Sequence, residues 1–232
     1  MHDRPKEKEN CHAESNYCFK SLFAACVNIG AANASVQDDV DQAVTIIEGF
    51  QAIPEKAIPD SVLRNAKGLA ILTVTKAGFI GSGRGGSGIV VARTGNGWSG
   101  PSAIGTGGLG VGFQAGVEIT EFVIVLNTQE AVDAFAKEGN VTLGANLSAA
   151  VGPIGRTAEA NVAFQAAMYT YSISQGLFAG VSLEGAVIAT RDEANAEYYG
   201  KAVGAKDILA GKVRPPAGAR TLLTVLSNYS AL

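Results

Sequence analysis

Two stretches of this sequence invite a chemical reading, and both contain glycine. Gly81-Ser82-Gly83-Arg84-Gly85-Gly86 satisfies the GxGxxG spacing, and Gly83 to Gly88 satisfies it again. In a dinucleotide site the third glycine opens a helix whose N-terminus holds the pyrophosphate, and an acid about 20 residues further on binds the ribose. Here the motif runs into Ile89-Val90-Val91, a strand-forming run, and the next acid after Asp60 is Glu118. Dinucleotide binding is therefore disfavoured, and no GxxxxGK[ST] loop is present. Histidine chemistry is equally poor: the two histidines, His2 and His12, lie in a polar N-terminal tail. No Ser-His-Asp or Cys-His set can form in the core. Glu118, Glu121 and Glu184 fall in strand-like context, but Glu118 and Glu121 are three apart and face opposite sides of a strand, which does not suit shared acid–base work. The residues call for no metal and no cofactor, so the reading is non-enzymatic.

What remains is binding of an anion. Between Ser61 and Val117 there is no Asp or Glu, while Arg64, Lys67, Lys76, Arg84 and Arg93 are all basic. Lys67, Lys76, Arg84 and Arg93 are the candidate lipid- or anion-binding residues. Backbone N–H groups in glycine-rich turns form concavities that accept phosphate, and Lys76 or Arg84 beside them could add charge-assisted hydrogen bonds. The net charge of −3 argues against a nucleic-acid partner. Phe19, Leu22 and Phe23 lie on one face of a predicted helix. They either cover the sheet or insert into a bilayer interface, although Lys20 is the sole base from Asn16 to Ala34.

The elements that must position these residues can be read from periodicity. With 47% apolar residues and 232 positions, the chain can bury a sizeable core, and charged residues make up only 17%. Its 29 glycines sit among Val, Ile, Ala and Ser without collagen period, which favours close-packed β-structure. Cys11, Cys18 and Cys26 all precede the core and show no CxxC spacing, so they indicate neither a disulfide framework nor a zinc site, and a reducing, cytosolic setting fits. No apolar run reaches the length of a membrane span. The stretch Leu22–Ala34 is broken by Asn28 and Gly30 and makes a poor signal sequence.

Residues 1–14 read as a disordered tail and 15–54 as a helical extension. Ser35 caps the second helix with Asp38 in a capping box, and Val36, Val40, Ala43, Val44, Ile47 and Phe50 form its apolar stripe. A short helix from Ser61 to Lys67 is expected to end on Gly68 in the left-handed conformation. Strands are predicted at Leu69–Thr75, Ile89–Arg93, Glu118–Leu126, Val141–Ala150, Thr157–Phe164, Met168–Ser174 and Leu177–Ala189. Gly95-Asn96-Gly97 and Ser174-Gln175-Gly176 are the predicted turns. Helices are predicted from Thr128 to Lys137, Arg191 to Gly200, Ala205 to Leu209 and Thr221 to Tyr229. Strands and helices do not alternate, which gives an α+β fold. Its expected core is a curved, mainly antiparallel, glycine-rich sheet or partial barrel, with N-terminal, interposed and C-terminal helices.

Several longer motifs follow one another in order. They include Ile58-Pro59-Asp60-Ser61-Val62-Leu63-Arg64-Asn65-Ala66-Lys67-Gly68, Ser82-Gly83-Arg84-Gly85-Gly86-Ser87-Gly88 and Trp98-Ser99-Gly100-Pro101-Ser102-Ala103-Ile104. Leu126-Asn127-Thr128-Gln129-Glu130, Gly152-Pro153-Ile154-Gly155-Arg156, Gly176-Leu177-Phe178-Ala179-Gly180 and Val213-Arg214-Pro215-Pro216 complete the set. On these residues the segment 55–230 resembles the SYLF domain, in its eukaryotic form. The resemblance implies a peripheral module that binds phosphoinositide-containing or other anionic membranes, in membrane–actin processes such as endocytosis. It also implies filamentous actin and actin-nucleation factors as partners, and a cytoplasmic place at membranes or cortical actin sites. Actin binding without direct lipid recognition is the alternative reading.

Overall fold

The computed structural model describes residues 34–78, 81–111, 116–137, 140–142, 149–152, 166–176 and 187–231. Its centre is built from three apolar runs, Leu69–Leu72, Ile89–Ala92 and Phe122–Leu126, all buried on both sides. Such runs are more usual in parallel sheets clad by helices. Here the strands are antiparallel, and helices cover both faces nonetheless.

The strands are β1 (Gly68–Gly78), β2 (Gly81–Thr94), β3 (Gly97–Trp98), β4 (Ser102–Val111), β5 (Gly116–Leu126), β6 (Asn140–Thr142), β7 (Ala149–Val151), β8 (Met168–Gly176) and β9 (Val187–Thr190). The helices are α1 (Val36–Ala52), α2 (Asp60–Asn65), α3 (Gln129–Ala136), α4 (Asp192–Tyr199), α5 (Ala205–Leu209) and α6 (Arg220–Ala231). The sheet order is β6-β9-β4-β2-β1-β5-β8-β7, with β3 paired to β2. Every pairing is antiparallel except β7 with β8. Among the described residues the sheet is open, running from β6 to β7 without closing into a barrel. The α+β expectation holds.

Strand alternation sorts the core into two layers. Leu69, Ile71, Val91 and Val123 face α1, α2 and α6, packing on Val40, Ile47, Val62 and Leu226. Leu72, Val74, Val90 and Phe122 face the other way, onto Val132 and Phe135 of α3 and Leu209 of α5. The start of α1 is fixed by the predicted capping box: Ser35 Oγ accepts from Asp38 N, and the Asp38 carboxylate accepts from Ser35 N. Thr128 caps α3 in the same manner, accepting from Ala131 N. At the start of β4, the buried Asn195 of α4 accepts from Ala103 N at 2.7 Å and donates to Ser102 Oγ.

Three local expectations are corrected. The short helix ends at Asn65, and Gly68 opens β1 with no positive φ. A β-carbon at Gly68 would lie 2.9 Å from the Val91 carbonyl oxygen, so glycine serves strand proximity there rather than a helix cap. Ser174-Gln175-Gly176 is not a turn, because all three residues continue β8 and pair with Thr120, Ile119 and Glu118. The glycine-rich segment 81–88 is likewise not a turn: it is the first half of β2, paired with β1 on one side and β4 on the other. Its backbone amides belong to the ladder and form no phosphate-accepting concavity. The Gly95-Asn96 turn between β2 and β3 is as expected. The predicted strand Thr157–Phe164 lies outside the described residues, as do 143–148 and 177–186 of its neighbours.

Candidate binding surfaces

The fold divides the four candidate basic residues into two pairs. Lys67 immediately precedes β1 and is exposed; its carbonyl accepts from Arg93 N at 2.7 Å, so Lys67 and Arg93 are neighbours. Lys76 lies nine residues along the same strand, about 30 Å away at the usual strand rise. There it is flanked by Arg84 of β2, its register partner. The acid-free segment therefore delivers charge to opposite ends of the sheet.

At the first end Arg93 is already engaged. Its guanidinium stacks over the Trp98 ring at 4.2 Å and donates from Nη2 to the carbonyls of Leu63 (3.3 Å) and Arg64 (3.4 Å). Burial pushes its pKa down, because the charged form loses hydration there. Arg93 thus ties the end of α2 to the β2–β3 hairpin, holding Arg64 and Lys67 beside it. Both of those side chains are exposed.

At the second end the cross-strand row reads Gly108, Arg84, Lys76, Glu118, Gly176 across β4, β2, β1, β5 and β8. Parity places this row on the face of Leu72 and Val74, the face that α3 and α5 cover further along the strands. Lys76 and Arg84 are half-buried. The Arg84 side chain lies over Gly108, whose missing β-carbon leaves the space. Glu118, read from sequence as exposed or paired, is only 1% exposed, and neither carboxylate oxygen has a hydrogen-bond partner. Lys76 stands between Arg84 and Glu118, which are two strand spacings apart, about 10 Å. This end is a mixed charged row, in which half-buried Lys76 and Arg84 stand beside a fully buried Glu118. Glu121, of opposite parity, accepts from Gln42 Nε2 of α1 at 3.0 Å.

A third polar cluster was not foreseen. Asp39 of α1 is 7% exposed, accepts from Ser87 Oγ at 2.6 Å and pairs with Arg191 Nη1 at 2.8 Å. Arg191 also donates from Nη2 to the Ala34 carbonyl at 3.0 Å. Burial raises the Asp39 pKa, opposed by the Ser87 hydrogen bond and the Arg191 charge. One signal was available in the sequence: Asp39 lies three after Val36 and four before Ala43, on the apolar stripe of α1.

Phe19, Leu22 and Phe23 lie outside the described residues, as do His2, His12 and Glu184. Among the described residues no three His, Cys, Asp or Glu side chains are grouped to hold a metal. No described helix is long and apolar enough to cross a membrane.

Comparison with known proteins gives one consistent result. The model of the family described as "Ysc84: Las17-binding protein actin regulator" matches residues 107–229. SH3 domain-containing YSC84-like protein 1 of Homo sapiens is 50% identical over 205 residues, covering 85% of this chain and 60% of its own length. LAS seventeen-binding protein 3 of Saccharomyces cerevisiae is 51% identical over 179 residues, covering 75% of this chain and 39% of its own length. The chain thus corresponds to a part, between 39% and 60%, of these relatives. The family match spans β4 to α6, the elements that carry the sheet's second half and its closing helices, and with it the chain belongs to the Ysc84, or SYLF, family.

Proposed function

We propose that this chain is a non-catalytic, peripheral membrane-binding module in actin regulation. It docks on phosphoinositide-containing or other anionic membranes through the Arg64–Lys67–Arg93 end of its sheet. The observation that carries the reading is the arrangement at that end. Arg93 is fixed by Trp98 and by the carbonyls of Leu63 and Arg64, its N–H donates to the Lys67 carbonyl, and Arg64 and Lys67 are both exposed there. Each basic residue near an anionic leaflet contributes on the order of 1 kcal/mol, so two or three together raise partitioning by roughly 100-fold. The half-buried Lys76 and Arg84, about 30 Å away at the opposite end of the sheet, stand outside this contact, because charges are screened beyond about 8 Å at physiological salt. The actin link is supported by the family description, which names an actin regulator, and the yeast relative's name shares its reference to Las17 binding.

Co-sedimentation with vesicles tests the membrane part. Binding to phosphoinositide vesicles should exceed binding to neutral phosphatidylcholine vesicles at low salt, and equal binding to both rejects it. Direct actin binding is the second reading, motivated by the words actin regulator in the family description. Pelleting with filamentous actin tests that reading, which fails if the protein stays in the supernatant at micromolar actin. Both kinds of contact weaken with salt, so the two pelleting arms, and not salt sensitivity, separate them.

A further inference from the structure

The motif Val213-Arg214-Pro215-Pro216 has no part in the membrane reading, yet its Arg214, Pro215 and Pro216, with Ala217, form one wall of an open groove of about 620 Å³. The other wall is the outer face of α6, where Arg220, Leu223, Thr224, Ser227 and Asn228 recur at helical spacing. We propose that this groove is a docking site for a short, extended acidic peptide segment of a partner protein.

Charge is the first argument. Arg214 and Arg220 are exposed and form no ion pair among the described residues. Lys212, two residues before Arg214, pairs instead with Asp207 at 3.2 Å. From Ile208 to the end of the sequence there is no Asp or Glu, so the segment supplies no counter-charge of its own. A guanidinium presents a planar fork that fits a carboxylate bidentately, and two of them on one groove set a preference for acidic side chains.

Shape is the second. From Arg220 to Asn228 the helix advances about 12 Å, the length of roughly four extended residues. Along that length the lining changes from arginine, through Leu223 and Pro216, to the amide of Asn228. That sequence of chemistries suits a peptide with acidic and apolar side chains and a backbone amide to be met at the far end. A compact polyphosphate would instead call for several cations converging on one point.

Rigidity is the third. Gln37 of α1 donates to the Gly218 carbonyl at 3.3 Å, anchoring the turn into α6. Pro215 packs where Gly100 has no side chain, and Tyr199 donates to the Pro101 carbonyl at 3.0 Å beside it. Two consecutive prolines fix the opposing wall. A preformed groove loses little entropy when it is filled.

The test uses the whole chain and a dye-labelled peptide alternating glutamate with leucine, followed by fluorescence anisotropy. The expected result is saturable binding that is lost when the glutamates are replaced by glutamine, and weakened roughly tenfold or more by Arg214→Glu with Arg220→Glu. Both arginines are exposed, and an acid in the first turn of α6 suits the helix dipole, so the variant should keep its thermal midpoint. The proposal is overturned by no binding, or by equal binding to the double variant. It is also overturned if inositol hexakisphosphate binds the groove and the peptide does not. Binding that emerges only after Glu7→Gln, Glu9→Gln and Glu14→Gln would assign the groove to the chain's own N-terminal segment, and would overturn it likewise.

Discussion

Asp39 holds a carboxylate where α1 meets the sheet, accepting from Ser87 and Arg191, and Arg191 in turn donates to the Ala34 carbonyl, so the cluster joins residues 34, 39, 87 and 191. Removing one partner of such a pair costs more than removing the charge itself, because the remaining ion is left buried. Arg191→Met should therefore destabilise the fold by about 2 kcal/mol, and Asp39→Asn by about half as much, since Arg191 is partly open to water. The pH dependence has a defined sign. The folded-state pKa of Asp39 lies above the ordinary 3.8, so the folded state holds the proton more tightly than the unfolded chain does. Stability from this group falls as pH climbs from 3.8 through the folded pKa, and is flat above it. Arg191→Met removes a charge that lowers that pKa, so its penalty should be largest at neutral pH and shrink in acid. Urea unfolding at two pH values checks this; a penalty independent of pH would remove Asp39 from the account. The glycines of β2 permit a second test. A β-carbon on Gly88 would collide with the Ile71 carbonyl and Leu72 of β1, whereas one on Gly83 meets nothing within 4 Å. Gly88→Ala should cost about 3 kcal/mol, and Gly83→Ala should stay within about 0.5 kcal/mol of wild type. A phosphate-cradling loop would show no such division, so equal effects on the thermal midpoint would refute strand contact as the reason for these glycines.

Helix starts with a side-chain cap were the most readable boundaries, because their signals are local. Ser35 with Asp38 and Thr128 before Gln129 place side-chain oxygens three residues ahead of backbone donors, and nothing distant is needed to satisfy them. Ser35→Ala should cost about 1 kcal/mol by chemical denaturation, with the m-value unchanged; no measurable loss would mean that α1 is held by its packing alone. The strand centres were legible as well, since Leu69–Leu72, Ile89–Ala92 and Phe122–Leu126 are continuous apolar runs of strand length. The glycine-rich half of β2 was not. Glycine carries no side chain by which alternation can be read, so the residues 81–88 gave the same local signal as a loop. What makes them a strand is β1 and β4 on either side. Gly68 and Ser174-Gln175-Gly176 misled for the same reason: each is turn chemistry used in a strand, and the pairing partners lie about 50 residues away or more in the cases of Gly68 with Leu126 and Gly176 with Glu118.

Charge organisation belongs to the whole molecule, and the linear sequence conveyed its clustering along the chain but not its placement on the fold. The acid-free stretch from Ser61 to Val117 was visible, but β1 is long enough to carry Lys67 and Lys76 to opposite ends of the sheet, and strand parity then turns Lys76 and Arg84 onto the face of the buried Glu118. Glu118 joins them from outside the stretch because β5 pairs with β1 in a register that only the folded sheet defines. Two kinds of charge reversal should therefore part company. Arg64→Glu with Lys67→Glu alters exposed side chains, so its thermal midpoint should match wild type while binding to phosphoinositide vesicles falls by roughly tenfold or more. Lys76→Glu sets a second carboxylate beside the buried Glu118, and Arg84→Glu adds one a further strand away. Each should lower the thermal midpoint, Lys76→Glu more than Arg84→Glu, since like charges repel most strongly between adjacent positions in a low-dielectric row. If the stable variant is Lys76→Glu and the one that loses vesicle binding is also Lys76→Glu, the membrane-facing end has been assigned the wrong way round. In that case the Lys76–Arg84 row would be the contact surface, and Arg64 and Lys67 would be ordinary solvated charges.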